Sequence, residues 1–342
     1  MSASGVRTTL SRPAKGGLFA LAVAAAVLIV VLGWYLWPFA ELERPDVYAV
    51  TGPQPGDLSA NLDLLDNVRN YGIDLDIEYR FRTNSLGFRG PEPPPDPTPT
   101  VLVLGDSFAF GMGVSEGETF PDVLRKTLRE ALPGVAVLNA AVPGYTIADQ
   151  NEQFQDRLSK LRPKYVIVCH TSSDLKEMAR PTSFRRLVAW DDEDPKYADQ
   201  AVADIVAAYG GSKSEATREV YVFTQKELLK RLGSGSPERL IRWRDDYVAG
   251  VLTLQESVEN AGGRLVFVSW VDGYGLAGLT SAPVLATLRK SSVLVFDGMK
   301  SMISDGSVPA AELFLPDGHL SVAGNYVAGV QTGTWMLSEV IR

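Results

Sequence analysis

One cysteine and two histidines are all that 342 residues offer for cross-linking and for proton transfer near neutral pH. A lone Cys169 excludes an intramolecular disulfide, and its place in the apolar run YVIVCH predicts a small buried hydrophobe. Positive charge is also scarce. With 33 Lys and Arg against 41 Asp and Glu, the net charge is −8, which leaves no electrostatic footprint for nucleic acid. No internal repeat is visible. From Gly16 to Ala40 there is no charged side chain at all.

That uncharged stretch, GLFALAVAAAVLIVVLGWYLWPF, is long enough to cross a hydrocarbon core as a helix. Arg7, Arg12 and Lys15 precede it, and Trp34, Tyr35 and Trp37 close it as an interfacial belt. The expected layout is a cytoplasmic tail (1–16), a single membrane-spanning helix (17–37), and everything beyond it periplasmic or extracellular. A cleaved signal peptide would have a shorter apolar core. Because the first 40 residues carry +3 and no acid, the remainder carries −11 against −8 for the whole. An exported chain with one buried thiol suits a bacterial periplasm better than a disulfide-dense secreted domain.

Residues 38–99 read as linker and lead-in, with turn chemistry at TGPQPGD and a proline-rich stretch, EPPPDPTPT, that excludes a regular helix. From residue 100 onward, short apolar runs alternate with helical patterns. VLVLGDS, VAVLNAAV, KYVIVCH, RLVFVSW and SVLVFDG are the five strands. This is the pattern of an α/β fold with a doubly wound, mostly parallel five-stranded sheet, in the flavodoxin-like order 2-1-3-4-5. Between the third and fourth runs, residues 175–261 form an expected helical insertion, a cap over the sheet edge or a surface elaboration. Its acidic cluster, Asp191 to Asp194, lacks the spacing of a calcium loop and reads as a solvated face.

Ligands of such sheets bind at the carboxyl ends of the strands. The first strand ends there in Gly-Asp-Ser, so Ser107 either caps the next helix or is a reactive hydroxyl. An activated serine needs a base, commonly histidine. His319, in FLPDGHLSVAG, follows the fifth strand and precedes the last helix, at the same sheet edge as Ser107. Asp317, two residues earlier, can fix the imidazole tautomer and stabilise its protonated form. Each feature alone reads equally well as loop chemistry, with Ser321 as a helix cap. Their joint placement at strand ends points to a nucleophile and its base.

On these residues the chain resembles the SGNH, or GDSL-type, hydrolase superfamily, in its membrane-anchored bacterial form. LGDSFAFGMGV is similar to the first block of that family, LNAAVPGYT to the second and PDGHLSVAGNYVA to the last. The lead-in TNSLGFRGPE resembles that of anchored members. The resemblance implies Ser107, Asp317 and His319 as the catalytic triad, and the backbone N–H groups of Ser107 and Gly144 as oxyanion donors. It implies no cofactor and no metal.

Two positions depart from the family pattern. Its third block carries Gly-x-Asn-Asp, whereas the strand here ends in HTSSD, placing Ser173 where the oxyanion asparagine would stand. Serine offers one rotatable donor of shorter reach, and His170, Thr171 or Ser172 are the neighbours able to compensate. The acid and base are also separated by one residue instead of two, leaving Asp317 as the expected acid and Asp174 as the alternative.

The expected function is a serine esterase acting on acyl or acetyl groups of envelope glycans or lipids. Two other readings stay open: an O-acetyltransferase acting on an exported polysaccharide, with Trp190, Trp243, Trp270 and Tyr274 as sugar-stacking surfaces, and a non-catalytic envelope scaffold or glycan-binding protein.

Overall fold

The computed structural model describes residues 56–71, 75–94, 100–171, 174, 178, 237–270 and 277–341. The expected tail and membrane-spanning helix lie outside the described residues, as do the acidic cluster, Trp190, Tyr274, Ser172 and Ser173. Among the described residues no helix is long and apolar enough to cross a membrane.

Five strands form the central sheet: β3 (Thr100–Leu104), β4 (Ala136–Asn139), β5 (Tyr165–His170), β6 (Arg264–Ser269) and β7 (Leu294–Asp297). They lie in the order β4-β3-β5-β6-β7, and every neighbouring pair is parallel. This is the 2-1-3-4-5 order expected from the apolar runs. Val101 to Leu104 are each at most 1% exposed, so β3 is buried on both faces and reads as a continuous apolar run.

Alternation along that strand divides the core in two. Val101 and Val103 share one buried cluster with Phe120 and Leu124 of α2 (Phe120–Ala131) and Val327 of α7 (Val322–Trp335). Leu102 and Leu104 face α3 (Ile147–Asp156) and α4 (Pro237–Asn260), meeting Phe154, Val251 and Leu254. The remaining α-helices among the described residues are α1 (Ser107–Phe110), α5 (Ala277–Lys290) and α6 (Gly298–Asp305).

Two stretches differ from the sequence expectation. The span 175–261 contains α4, which is the crossover between β5 and β6. Its Tyr247, Val251, Leu254 and Val258 are fully buried at helical spacing, so this part is a layer of the core. The lead-in is also structured. β1 (Asp63–Asn67) and β2 (Glu78–Arg82) form an antiparallel pair that packs on the domain, with the Phe81 ring edge-on to Phe110 at 5.2 Å. Trp270 is 1% exposed and packs edge-on against Phe120 and Phe296, which makes it core instead of a stacking surface.

Candidate active site

The turn after β3 is dictated by its glycine. Gly105 has φ of 152°, and a Cβ there would lie 2.7 Å from the Ala109 Cβ. Only glycine lets the chain fold back so tightly into α1. Asp106 then caps that helix, its Oδ1 accepting from the Phe108 N–H at 2.9 Å. Ser107 is the first helical residue, half-buried at the carboxyl edge of the sheet. Its own N–H has no partner among the described residues.

The base arrives from the other end of the chain. Residues 313–321 form a tight loop in which Leu315 N–H donates to the His319 carbonyl at 2.7 Å and Ser321 N–H to the Leu313 carbonyl at 3.0 Å. Asn325 fastens the loop to the body. Its Nδ2 donates to the Leu320 and Ser321 carbonyls, and its Oδ1 accepts from Phe120 N–H at 2.8 Å. Ser321 caps α7, so that expectation and the base reading hold together in one loop.

The structure brings Ser107, His319 and Asp317 into one line. His319 Nε2 lies 2.8 Å from Ser107 Oγ, and His319 Nδ1 lies 2.7 Å from Asp317 Oδ2. Phe108 covers the imidazole with its ring centroid at 4.7 Å. Asp317 is subject to opposing effects: burial pushes its carboxyl up, while the His319 hydrogen bond and charge pull it down. The net result is a pKa below the usual carboxylate value. The carboxylate is therefore ionised at neutral pH, as support for an imidazolium requires.

The second block is placed alongside. Val142 N–H donates to the Gly105 carbonyl at 3.1 Å, joining the loop that carries Gly144 to the turn that carries Ser107. Of the third block, Ser173 lies outside the described residues. Asp174 does not approach His319. It lies 3.0 Å from His170 Nδ1 and accepts from Thr171 N–H at 2.6 Å, which removes it as the alternative acid. His170 is fully buried against Tyr247, whereas the Thr171 hydroxyl donates to Asp106, the residue that precedes Ser107.

Two buried charges that bear on this site carry no motif of their own. Arg89, 4% exposed, donates to the carbonyls of Phe110 (3.0 Å), Gly111 (2.7 Å) and Val114 (2.6 Å), while its N–H donates to the Asn139 carbonyl. It thereby holds the chain leaving the Ser107 helix. Asp57, fully buried, is ion-paired with Arg157 at 2.6 Å and accepts from the hydroxyl of Tyr145, the residue after Gly144. The only sequence hint was Arg89 set between aromatic and glycine residues in GFRGPE.

Residues 103–263 match the GDSL-like Lipase/Acylhydrolase family. No curated protein matches the chain. Among solved structures, the psychrotrophic esterase EstA from Pseudoalteromonas sp. is similar at 10% identity, covering 71% of this chain and 100% of its own, with a TM-score of 0.44. The acetylxylan esterase Axe2 from Geobacillus stearothermophilus is similar at 13% identity, covering 69% and 92%, with a TM-score of 0.39. The matched stretch contains Ser107 and Gly144 and ends before Asp317 and His319.

Proposed function

We propose that this GDSL-type domain is a serine ester hydrolase working through an acyl-serine intermediate, with Ser107, His319 and Asp317 as its triad. The observation that carries the reading is the unbroken line from Asp317 Oδ2 through the His319 ring to Ser107 Oγ, at 2.7 and 2.8 Å.

Ser107 Oγ attacks the ester carbonyl carbon as its proton passes to His319 Nε2. The carbonyl π pair moves onto oxygen, where the N–H groups of Ser107 and Gly144 hold it, with the Ser173 hydroxyl as a third donor. Collapse expels the alcohol, which takes the proton from Nε2. Water then repeats the cycle on the acyl-serine and releases the acid. Asp317 stays ionised and holds the ring throughout. Replacing an oxyanion amide by a serine hydroxyl removes about 3–4 kcal/mol where the donor is lost outright, so the enzyme is expected to be slow. No cofactor or metal enters these steps.

The uncharged segment 17–37 and the cations before it support an anchored domain on the periplasmic or outer face of the cytoplasmic membrane. In that location acyl or acetyl esters of envelope glycans or lipids are the proposed substrates. Labelling of the purified full-length chain by a fluorophosphonate probe, with hydrolysis of p-nitrophenyl acetate, tests the reading. Labelling of the parent that disappears in Ser107→Ala and weakens in His319→Ala is expected. A folded parent that neither labels nor turns over would overturn it in favour of the scaffold reading.

A further inference from the structure

The chain's other histidine is not used by the proposed chemistry, yet it sits in a fully buried polar cluster. His170 ends β5 and packs against the rings of Tyr247 (4.9 Å) and Phe267 (5.4 Å), with no exposure to solvent. Its Nδ1 lies 3.0 Å from both Asp174 Oδ2 and the Tyr247 hydroxyl. The same Asp174 oxygen accepts the Thr171 N–H at 2.6 Å, while Asp174 Oδ1 is buried with no hydrogen-bond partner among the described residues.

Thr171 connects this cluster to the Ser107 turn. Its hydroxyl donates to Asp106 Oδ2 at 3.1 Å, and the other oxygen of Asp106 caps the Ser107 helix at Phe108 N–H. His170 Nδ1–H, shared between Asp174 Oδ2 and the Tyr247 hydroxyl oxygen, ties α4 to Asp174, and the Asp174 and Thr171 hydrogen bonds continue to the carboxylate beside Ser107. The two ends, Asp106 and Tyr247, are 141 positions apart in the sequence.

We propose that Thr171 is a positioning residue for Ser107, and that the buried His170–Asp174–Tyr247 cluster holds Thr171 in place. The role rests on the reading of Ser107 as nucleophile. Asp106 has rotational freedom about its side-chain bonds, and its plane sets the direction of the helix cap. The Thr171 hydroxyl fixes that plane from one side, so Ser107 Oγ is delivered to hydrogen-bonding distance of His319. A displacement of about 1 Å at such a position can cost on the order of 10²-fold in rate.

Thr171→Val removes the hydroxyl at nearly constant volume, and Thr171→Ser restores it. In Thr171→Val, kcat for p-nitrophenyl acetate is expected to fall about 10-fold with KM unchanged, and Thr171→Ser is expected to return to within about threefold of the parent. An unchanged kcat in Thr171→Val, or an equal loss in both variants, overturns the proposal. Crystal structures of the parent and Thr171→Val give a readout that needs no turnover. Separation of Ser107 Oγ from His319 Nε2 beyond hydrogen-bond reach is expected in the variant, and an unchanged distance refutes the role. This arm is decisive even for a parent that fails to label, a failure that would count against the hydrolase reading alone. If Thr171→Val does not fold, Tyr247→Phe acts at the far end of the chain. It is expected to lower kcat about twofold to fivefold with KM unchanged, and parental kcat would again overturn the proposal.

Discussion

Both oxygens of Asp317 are engaged by the same residue: His319 Nδ1 lies 2.7 Å from Oδ2, and the His319 backbone N–H donates to Oδ1 at 3.2 Å. A single residue separates acid and base, and that residue is Gly318 at φ of 94°. The left-handed conformation, which glycine adopts without penalty, curls the chain so that the carboxylate reaches back to its neighbour's ring. The shorter spacing therefore costs the pair nothing in geometry.

Asp317→Asn is expected to lower kcat by about 10²–10⁴-fold, because an amide can hold the imidazole in the wrong tautomer and cannot support its charge. The same variant should change how stability depends on pH. The folded-state pKa of Asp317 lies below the usual carboxylate value of about 4, so the folded protein binds fewer protons than the unfolded chain in the window between the two. The stabilisation is fully present above that usual value and is lost as pH falls through the lowered folded-state value. Chemical denaturation at a series of pH values should show parent and Asp317→Asn converging on acidification. A difference independent of pH would contradict the assignment.

The sheet was legible because buried parallel strands leave an unmistakable apolar signature, and the Ser107–His319 meeting because only two histidines competed for the role. Other parts left no such mark. In β1 the usual alternation is reversed, with Leu65 66% exposed and Asp66 buried, and the β1–β2 pair packs on Phe110 through Phe81. α4 was hidden inside 175–261 because its buried residues Tyr247, Val251, Leu254 and Val258 lie in the last third of a long stretch read as a single insertion. Arg89 and Asp57 reach partners 21 to 100 residues away, and no local spacing encodes such a contact. His170 read as a polar strand end able to face substrate. Its parallel register with Ser269 instead turns it toward Phe267 and Tyr247.

Arg89 offers a test of whether the lead-in serves the site. Three carbonyls of the chain leaving α1 point at one guanidinium, which also lies 4.7 Å over the Phe110 ring. A lysine keeps the charge but cannot span three acceptors with a planar fork. Arg89→Lys is expected to lower the melting temperature by about 5 °C or more and to reduce kcat more than it raises KM. Calorimetry with steady-state kinetics checks this, and parental values for both would show that the clamp is dispensable.

Cys169 should be inert in the native protein. Burial, then the charges of Asp106 and Asp174, raise its pKa well above the ordinary thiol value, outweighing a contact with Trp270 that acts the other way. The thiolate is the reactive form, so a maleimide or disulfide reagent at pH 8 should leave the folded protein unlabelled over hours and react within minutes once denaturant is added. Rapid native labelling would mean that the β5 edge opens.

The last test concerns the Gly144 side. Asp57 precedes β3, the first strand of the central sheet, by more than 40 residues, yet it is fully buried between Arg157 and Tyr145. Asp57→Asn keeps the shape but removes the charge, leaving the Arg157 guanidinium, whose side chain is only 12% exposed, without its counter-ion. Breaking one side of such a buried pair costs about 3–5 kcal/mol, more than any exposed ion pair on this surface contributes. Because Tyr145 follows Gly144, the loop that supplies the proposed oxyanion N–H should loosen with the fold. The expected result is a marked loss of unfolding free energy in urea, together with slower fluorophosphonate labelling at temperatures where the variant is still folded. Loss of stability with labelling at the parental rate would confine Asp57 to the scaffold and detach it from the Gly144 loop.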